Sequence, residues 1–194
     1  MNSAASPRVT LRERQRSLVR ESIVDAAYEL FSRQPYSEVT AADIAEAAAT
    51  SRATFFRYFA DKQEVVFARQ PEIRTEVAAR ELDREVPVPA TLSLAMEQLR
   101  TIVVDVYNDV EQHPWQSVHE RLLDENPELF DRHVRKLLAF GDDMAALLEH
   151  RGAAPDLAVL AAQSAVACCL AGRKLRADSS SMAEAIDRCF LQYT

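Results

Sequence analysis

Glycine is scarce in this chain: Gly141, Gly152 and Gly172 are the only three in 194 residues. They stand alone, so no glycine-rich loop is present to cradle a phosphate. No Asn-Gly or Asp-Gly pair offers a hairpin turn, and few stretches alternate apolar and polar residues as strands do. Abundant Ala, Leu, Glu and Arg point instead to an all-α chain. No apolar run is read as long enough for a membrane span, which takes about 18–20 residues, so no membrane partner is expected. The opening "MNSAASPRVTLRERQR" lacks an apolar signal segment. The three cysteines, Cys168, Cys169 and Cys189, are odd in number and lie in apolar helical context. They read as reduced core thiols of a cytoplasmic protein.

Catalytic and metal-binding patterns are missing as well. There is no His-Glu-x-x-His, Cys-x-x-Cys or Glu-x-x-His. His113, His119, His133 and His150 are not spaced as a metal set, although His113 and His119 can converge across a turn. Ser164 beside Cys168 has no base within helical reach. The expectation is no enzyme, no metal and no cofactor apart from a small-molecule effector.

What is present is an uneven charge. The chain carries 23 Lys/Arg and 30 Asp/Glu, a net −7. Residues 1–66 hold 9 of each sign and balance to zero, which leaves 14 and 21 for residues 67–194. Within the first 20 residues, five arginines (including Arg8, Arg12, Arg14 and Arg16) face one glutamate. This permits a nucleic-acid surface at one end of an acidic protein. The arginine-rich start is either a solvated tail or a source of extra phosphate or minor-groove contacts.

The eight prolines cut the chain into helix-sized pieces. Thr10 opens a first helix as "TLRE", a capping box with Glu13. Leu18, Ile23, Ala26, Ala27, Leu30 and Phe31 then keep helical spacing until Pro35. Thr40 caps a second helix, Ser51 a third and Asp61 a fourth, which Pro71 either kinks or restarts. Further helices are expected over 91–112, after Pro114, and over 127–150, 155–173 and 180–192. That makes about nine in total. Three regions follow: 1–66, an N-terminal arm and three compact helices; 67–86, a connecting helix kinked or broken near Pro71; and 87–194, a larger helical domain.

Aromatics concentrate at one place. Of 14 in the chain, Phe55, Phe56, Tyr58 and Phe59 occupy five positions of "SRATFFRYFADKQ". Helix, tight turn at Ala49–Thr50 and short helix form a helix-turn-helix, whose second helix enters the major groove. At 100° per residue Phe55 and Phe59 face the core side, with Ile44, Leu30 and Phe31. Ala53 and Arg57 face outward, flanked by Thr54 and Tyr58. No acidic residue falls between 51 and 60, which suits a polyanion.

"IVDAAYELFSRQPYSEVTAADIAEAAATSRATFFRYFADKQEVV" resembles the N-terminal domain of the TetR (tetracycline-repressor) family of bacterial regulators, over about residues 18–66. The likeness rests on Ala-Ala…Leu-Phe ending the first helix, Tyr36, Thr40, Ile44-Ala45, Ser51, the aromatic pair, Tyr58-Phe59 and Lys62. It implies three helices for DNA, a connecting fourth, and a helical domain that binds a small ligand and dimerises. By the same resemblance Thr40 caps its helix and touches phosphate. Ser51, Arg52, Ala53 and Thr54 begin the recognition helix. Phe56, Arg57 and Tyr58 contact sugar, phosphate or thymine methyls, and Lys62 takes a phosphate. Arginine can read guanine by a bidentate contact, while Thr, Tyr and Lys position the backbone. The sequence departs from the family at Ala49, where a turn glycine is usual, at Thr50, and at Pro35.

The function expected is a ligand-responsive regulator, acting as a repressor, that binds a palindromic operator on double-stranded DNA as a homodimer. Apolar spacing over 91–150 nominates Met96, Leu99, Val103, Tyr107, Trp115, His119, Arg121, Phe130, Val134 and Met144 as ligand-binding residues. "ERLLDENPELFDRHVRKLLAF" and "LAVLAAQSAVACCLAG" loosely resemble actinobacterial TetR-type regulators, some of which sense long-chain acyl-CoA. Arg121, Arg135 or Lys136 would then meet its phosphates; an aromatic or amphipathic effector is equally open. Leu160, Ser164, Cys168 and Ile186 are expected at the dimer interface. The alternative is an all-helical ligand carrier or small enzyme in which residues 1–60 only pack.

Overall fold

A computed structural model describes residues 10–82, 84–179 and 181–193, with Glu13 by its backbone alone. Arg8 and the Glu13 side chain, and with them the expected capping box, lie outside the described residues. The described residues are all helical or irregular, in two units, Met1–Ala68 and Arg69–Thr194.

The first unit contains α1 (Leu11–Arg33), α2 (Ala41–Ala47), α3 (Arg52–Tyr58) and α4 (Lys62–Val66). Three of its helices start where a side chain caps them. Thr40 Oγ1 accepts from the Asp43 N–H while the Asp43 carboxylate accepts from the Thr40 N–H, a complete capping box. Ser51 and Asp61 cap α3 and α4 through the N–H groups of Thr54 and Glu64. Ile23, Ala27 and Phe31 of α1, four residues apart, meet Ile44, Phe55 and Val65 in a core where each is almost wholly buried. Leu18, expected on that stripe, is 64% exposed; among the described residues of α1 the first fully buried one is Ile23. Arg12, Arg14 and Arg16 likewise lie exposed on its first turns.

Two α1 side chains fasten the end of this unit. The Tyr28 hydroxyl donates to Val66 O at 2.9 Å, and Arg20 donates to Ala68 O while its guanidinium lies over the Phe59 ring. These carbonyls lie at the last residue of α4 and just beyond it, where a helix leaves its carbonyls without partners, so α1 satisfies what the short helix cannot.

The second unit begins at α5 (Gln70–Glu81) and continues through α6 (Leu92–Glu111), α7 (Gln116–Glu125), α8 (Pro127–His150), α9 (Pro155–Leu175) and α10 (Met182–Phe190), with a single 3-10 turn at Arg176–Asp178. Pro71 restarts the helix rather than kinking it: it sits in the first turn of α5, where its missing N–H is tolerated. That break makes ten α-helices among the described residues where about nine are expected.

Helix α9 is the hub, packing on α6, α8 and α10. Ala158, Ala161, Ala162 and Ala165 are fully buried, so neighbouring backbones approach closely. At Gly172 an added Cβ would lie 2.5 Å from Ile186 Cγ1 and 2.8 Å from Ile186 N, so only glycine fits that crossing. Contrary to the reading that no stretch suffices, Pro155–Asp178 has the length and hydropathy (1.4) of a membrane-crossing helix. Alanine content carries it over that threshold, and 44% of its apolar window is buried inside the unit.

Candidate nucleic-acid interface and effector cleft

The α2–turn–α3 segment is a helix-turn-helix whose turn contains the one described non-glycine residue at positive φ, Ala49 at +50°. A Cβ is disfavoured there by roughly 1–2 kcal/mol. Two bonds hold the turn in spite of it, from Ala49 N to Glu46 O and from Thr50 N to Ala45 O, each 2.9 Å. The missing turn glycine therefore leaves the motif in place and stores strain in it.

Helix α3 divides as its angles require. Phe55 and Phe59 are 0% and 5% exposed, whereas Phe56 is 45% exposed. The Arg52 guanidinium lies 5.5 Å over the Phe56 ring, and that of Arg57 lies 5.4 Å over Tyr58. The Ser51 hydroxyl donates to Thr54 Oγ1 at 3.0 Å and accepts from the Thr54 N–H at 3.0 Å. Thr54 thus keeps its hydroxyl hydrogen for an outward acceptor. Ser51, Arg52, Ala53, Phe56 and Arg57 are exposed, with Thr54 and Tyr58 half-buried beside them. No carboxylate stands in the first turn of α3, where it would oppose an incoming phosphate. Thr40 is exposed at the start of α2, and its hydroxyl donates to Asp43 at 2.7 Å; that bond holds the Asp43 carboxyl below its usual range.

Lys62, expected to take a phosphate, also has a role inside the unit. Its ammonium donates to Tyr36 O at 2.6 Å and Val39 O at 2.7 Å and lies 3.8 Å from the centre of the Tyr36 ring. The cation at the start of α4 thus ties down two carbonyls of the α1–α2 loop. Lys62 therefore fixes the loop that delivers Thr40. Sequence reasoning also missed Arg20 and Tyr28, whose carbonyl partners lie 48 and 38 residues away. No local spacing encodes those pairs.

In the second unit a cleft of about 530 Å³ runs between α5 and α8, with Ile102 of α6 at its floor. Its walls are Val77, Leu82, Phe140, Met144 and Leu147, with the small Ala78 and Ala146 between them. Ion pairs bridge α5 to α8 on either side. Arg74 donates to both Asp143 oxygens, at 2.5 and 2.8 Å, and both side chains are largely exposed. Arg151 donates to the Glu81 carboxylate at 2.9 Å, to Glu81 O and to Gln98 Oε1, with Arg151 and Glu81 6% and 1% exposed.

Of the ten nominated ligand residues, Met144 alone lines this cleft. Met96, Leu99 and Val103 are core packing, at most 1% exposed. Trp115 and His119 are half-buried at α7, Arg121 is exposed on it, and Val134 is half-buried on α8. Arg135, next to Val134 on α8, is exposed, and Lys136 is half-buried. Apolar spacing marks helix faces that pack, and the cleft forms where α5 carries alanine and α8 answers with alanine.

Tyr107 and Phe130 adjoin a different feature, a polar knot among α6, α7, α8 and α9. Arg173 donates to Glu120 and Asp124 and lies over the Phe130 ring. Arg176 also donates to Asp124. Phe130 stacks on His133, whose buried Nδ1 has no hydrogen-bond partner. Burial, then the Arg173 charge, pulls the His133 imidazole down to about 4, so it is neutral. Burial raises the Glu120 carboxyl against the pull of Arg173, pushes the Tyr107 phenol well up, and pushes the Cys169 thiol to about 12. A thiol so raised is inert, in keeping with a core role.

Two interface expectations need correction. Cys168 and Ile186 are 3% and 0% exposed within a single chain, Ile186 because it fills the space over Gly172. Leu160 is 54% exposed and Ser164 half-buried.

Residues 23–68 match the family model for bacterial regulatory proteins of the tetR family. Over 55 residues the chain is 44% identical to the HTH-type transcriptional regulator TcmR of Streptomyces glaucescens; that stretch is 28% of this chain and 24% of TcmR. The alignment thus spans about a quarter of that relative's length. The fold resembles that of SmeT, the repressor of the Stenotrophomonas maltophilia multidrug efflux pump SmeDEF, with a TM-score of 0.59 at 17% identity, covering 90% of this chain and 87% of SmeT. The SmeT–triclosan complex gives the same TM-score. The fatty acid degradation regulator FadR of Bacillus halodurans scores 0.56 at 14% identity, covering 90% of this chain and 93% of FadR. At such identities the likeness is one of fold.

Proposed function

We propose that this chain, whose residues 23–68 match the tetR family model, is a TetR-family repressor rather than an enzyme, binding a palindromic operator as a homodimer and leaving it when a small molecule binds the second unit. The observation that carries this reading is the outer face of α3. Arg52 and Arg57 stand there on aromatic rings, beside Phe56 and Thr54, with no acidic residue in the first turn. Arg52, at the first turn, is suited to a guanine edge through a bidentate contact. Arg57 and Tyr58 suit phosphates, and Phe56 suits a thymine methyl.

A dimer delivers two such helices about 34–36 Å apart, one turn of the duplex. The exposed apolar side chains Val159, Leu160, Leu175 and Leu191 on and beside α9 and α10 give the second copy a surface. Leu160 and Ser164 remain in that proposed interface; Cys168 and Ile186 do not. SmeT, a repressor of this fold also solved with triclosan, supports both the direction of regulation and a small-molecule effector. The location that follows is the cytoplasm, where the operator is.

Selection of duplexes from a random pool by the full chain tests the proposal. A palindrome with half-sites separated by a whole number of helical turns is expected, with affinity falling steeply as salt rises. A pool that stays flat after selection would sink it.

A further inference from the structure

The cleft between α5 and α8 has a construction that points to a ligand. Arg74 and Glu81 are seven residues apart on α5, about 10 Å along its axis, and Asp143 and Arg151 are eight apart along α8. The two ion pairs therefore pin the helices at both ends of one stretch. Between the pins stand Ala78 and Ala146, which are too small to close the gap. The groove so left is open to solvent along one side and holds about 530 Å³, within the range of small-molecule sites. Leu82, 48% exposed, leaves an apolar side chain at its edge.

Its chemistry is as definite as its shape. Val77, Ile102, Phe140, Met144 and Leu147 supply apolar walls. Among the described lining residues the charged ones are Arg74 and Asp143, and each is satisfied by the other in a two-bonded pair. A carboxylate or phosphate placed here would have to displace Asp143 from Arg74 to gain a partner. An uncharged molecule meets no such barrier.

We propose that this cleft is the effector site, that it takes an uncharged apolar or aromatic molecule in preference to a fatty acid or acyl-CoA, and that the Arg74–Asp143 pair is the pin that yields when it fills. Exposed ion pairs contribute little and part readily. The Glu81–Arg151 pair does not, because both side chains are desolvated and Glu81 is held further by Arg80 and Arg84 at 3.3 Å, and Arg151 by Gln98 Oε1 and Glu81 O. Entry of a ligand thus lifts the first turns of α5 about a fixed far end. Gln70, where α5 starts, is two residues past the end of the DNA-binding unit. The consequence for DNA rests on the repressor reading above; the ligand site does not.

The test is titration of the full chain, without DNA, with the neutral fluorophore N-phenyl-1-naphthylamine. Saturable binding at one site per chain is expected. Ala146→Trp and Ala78→Phe, each filling the gap from an exposed helix position, should weaken it by about tenfold with helix content unchanged by circular dichroism. Asp143→Asn should tighten it several-fold. Decanol should displace the fluorophore about tenfold more readily than decanoate, which differs only in its charged head. No saturable binding, or binding as tight as wild type in both filled variants, overturns the site. Decanoate equal to decanol overturns the chemistry, and unchanged affinity in Asp143→Asn overturns the pin. Release of a selected duplex on adding the fluorophore is measured separately. Binding to the chain without release overturns the coupling alone and leaves the site standing.

Discussion

Residues 10–68 and 69–193 pack helices with opposite materials. The first unit has helices of 23, 7, 7 and 5 residues, and its interior is aromatic: Tyr28, Phe31, Tyr36, Phe55, Phe59 and Phe67 are all buried. In the second unit α6, α8 and α9 run to 20, 24 and 21 residues, and its closest crossings are made by alanine and Gly172. A seven-residue helix has too few hydrogen bonds to hold itself, so each inward residue must bury a large area. A helix of 20 residues buries area through length and can use small side chains to bring backbones together. Short helices expose their termini, and in the proposed complex the start of α3 is what reaches DNA. The aromatic core is thus the condition under which so short a reading helix can be rigid.

That contrast can be broken most severely at Phe55. Phe55→Ala removes a fully buried ring and is expected to destabilise the first unit by about 3–5 kcal/mol. Denaturant titration should then resolve an early transition for this unit, with the second unit unchanged.

Acid should strike the other unit. All four histidines lie beyond residue 68, and His133 is buried and neutral with its imidazole down near 4. Its folded value lies below the unfolded value of about 6.5. The stability it contributes is therefore complete above pH ~6.5 and is lost as pH falls towards ~4, by up to about 3 kcal/mol. The raised Glu120 carboxyl opposes this trend. The clean measurement is hence the difference in pH dependence between the wild-type chain and His133→Phe, and equal profiles would refute the assignment.

Gly172→Ala probes the same unit by crowding. The new methyl meets Ile186 side chain and backbone at 2.5–2.9 Å, and a loss of about 2 kcal/mol is expected in thermal or denaturant unfolding.

Lys62→Met separates holding the DNA-binding unit together from holding DNA. Loss of its two carbonyl bonds should cost about 1.5 kcal/mol of stability. The slope of log affinity against log salt should stay unchanged, whereas a direct phosphate contact would lower it by about one. The smallest effect is a gain: Ala49→Gly relieves the positive φ at the turn and should stabilise the first unit by about 1 kcal/mol.

Much of this architecture is legible in the sequence because it is local. Thr40, Ser51 and Asp61 announce their helices by chemistry that acts three residues away, and the angle between Phe55 and Phe56 follows from helix geometry alone. Ala49 can be read as left-handed because the family pattern puts glycine there. Lys62 cannot be read this way, since a cation at a helix start suits a phosphate and a loop carbonyl equally, and only the fold brings Tyr36 and Val39 within reach. The cleft is hidden for a similar reason. Arg74 and Asp143 are 69 residues apart, and Ala78 and Ala146 are visible as a gap only once α5 and α8 are laid side by side. Apolar periodicity finds what is filled and says little about what is left open.

The rings beneath Arg52 and Arg57 have a consequence for how quickly and how selectively α3 can read a groove. A solvated arginine samples many rotamers and surrenders about 2 kcal/mol of that freedom when a base edge fixes it. One already resting on Phe56 or Tyr58 has surrendered part of it before any duplex arrives. Its guanidinium plane is also held by a neighbour on the same helix, so a mismatched base meets a side chain slow to adapt. In the proposed operator complex, Phe56 and Tyr58 therefore contribute to discrimination even at positions they never touch.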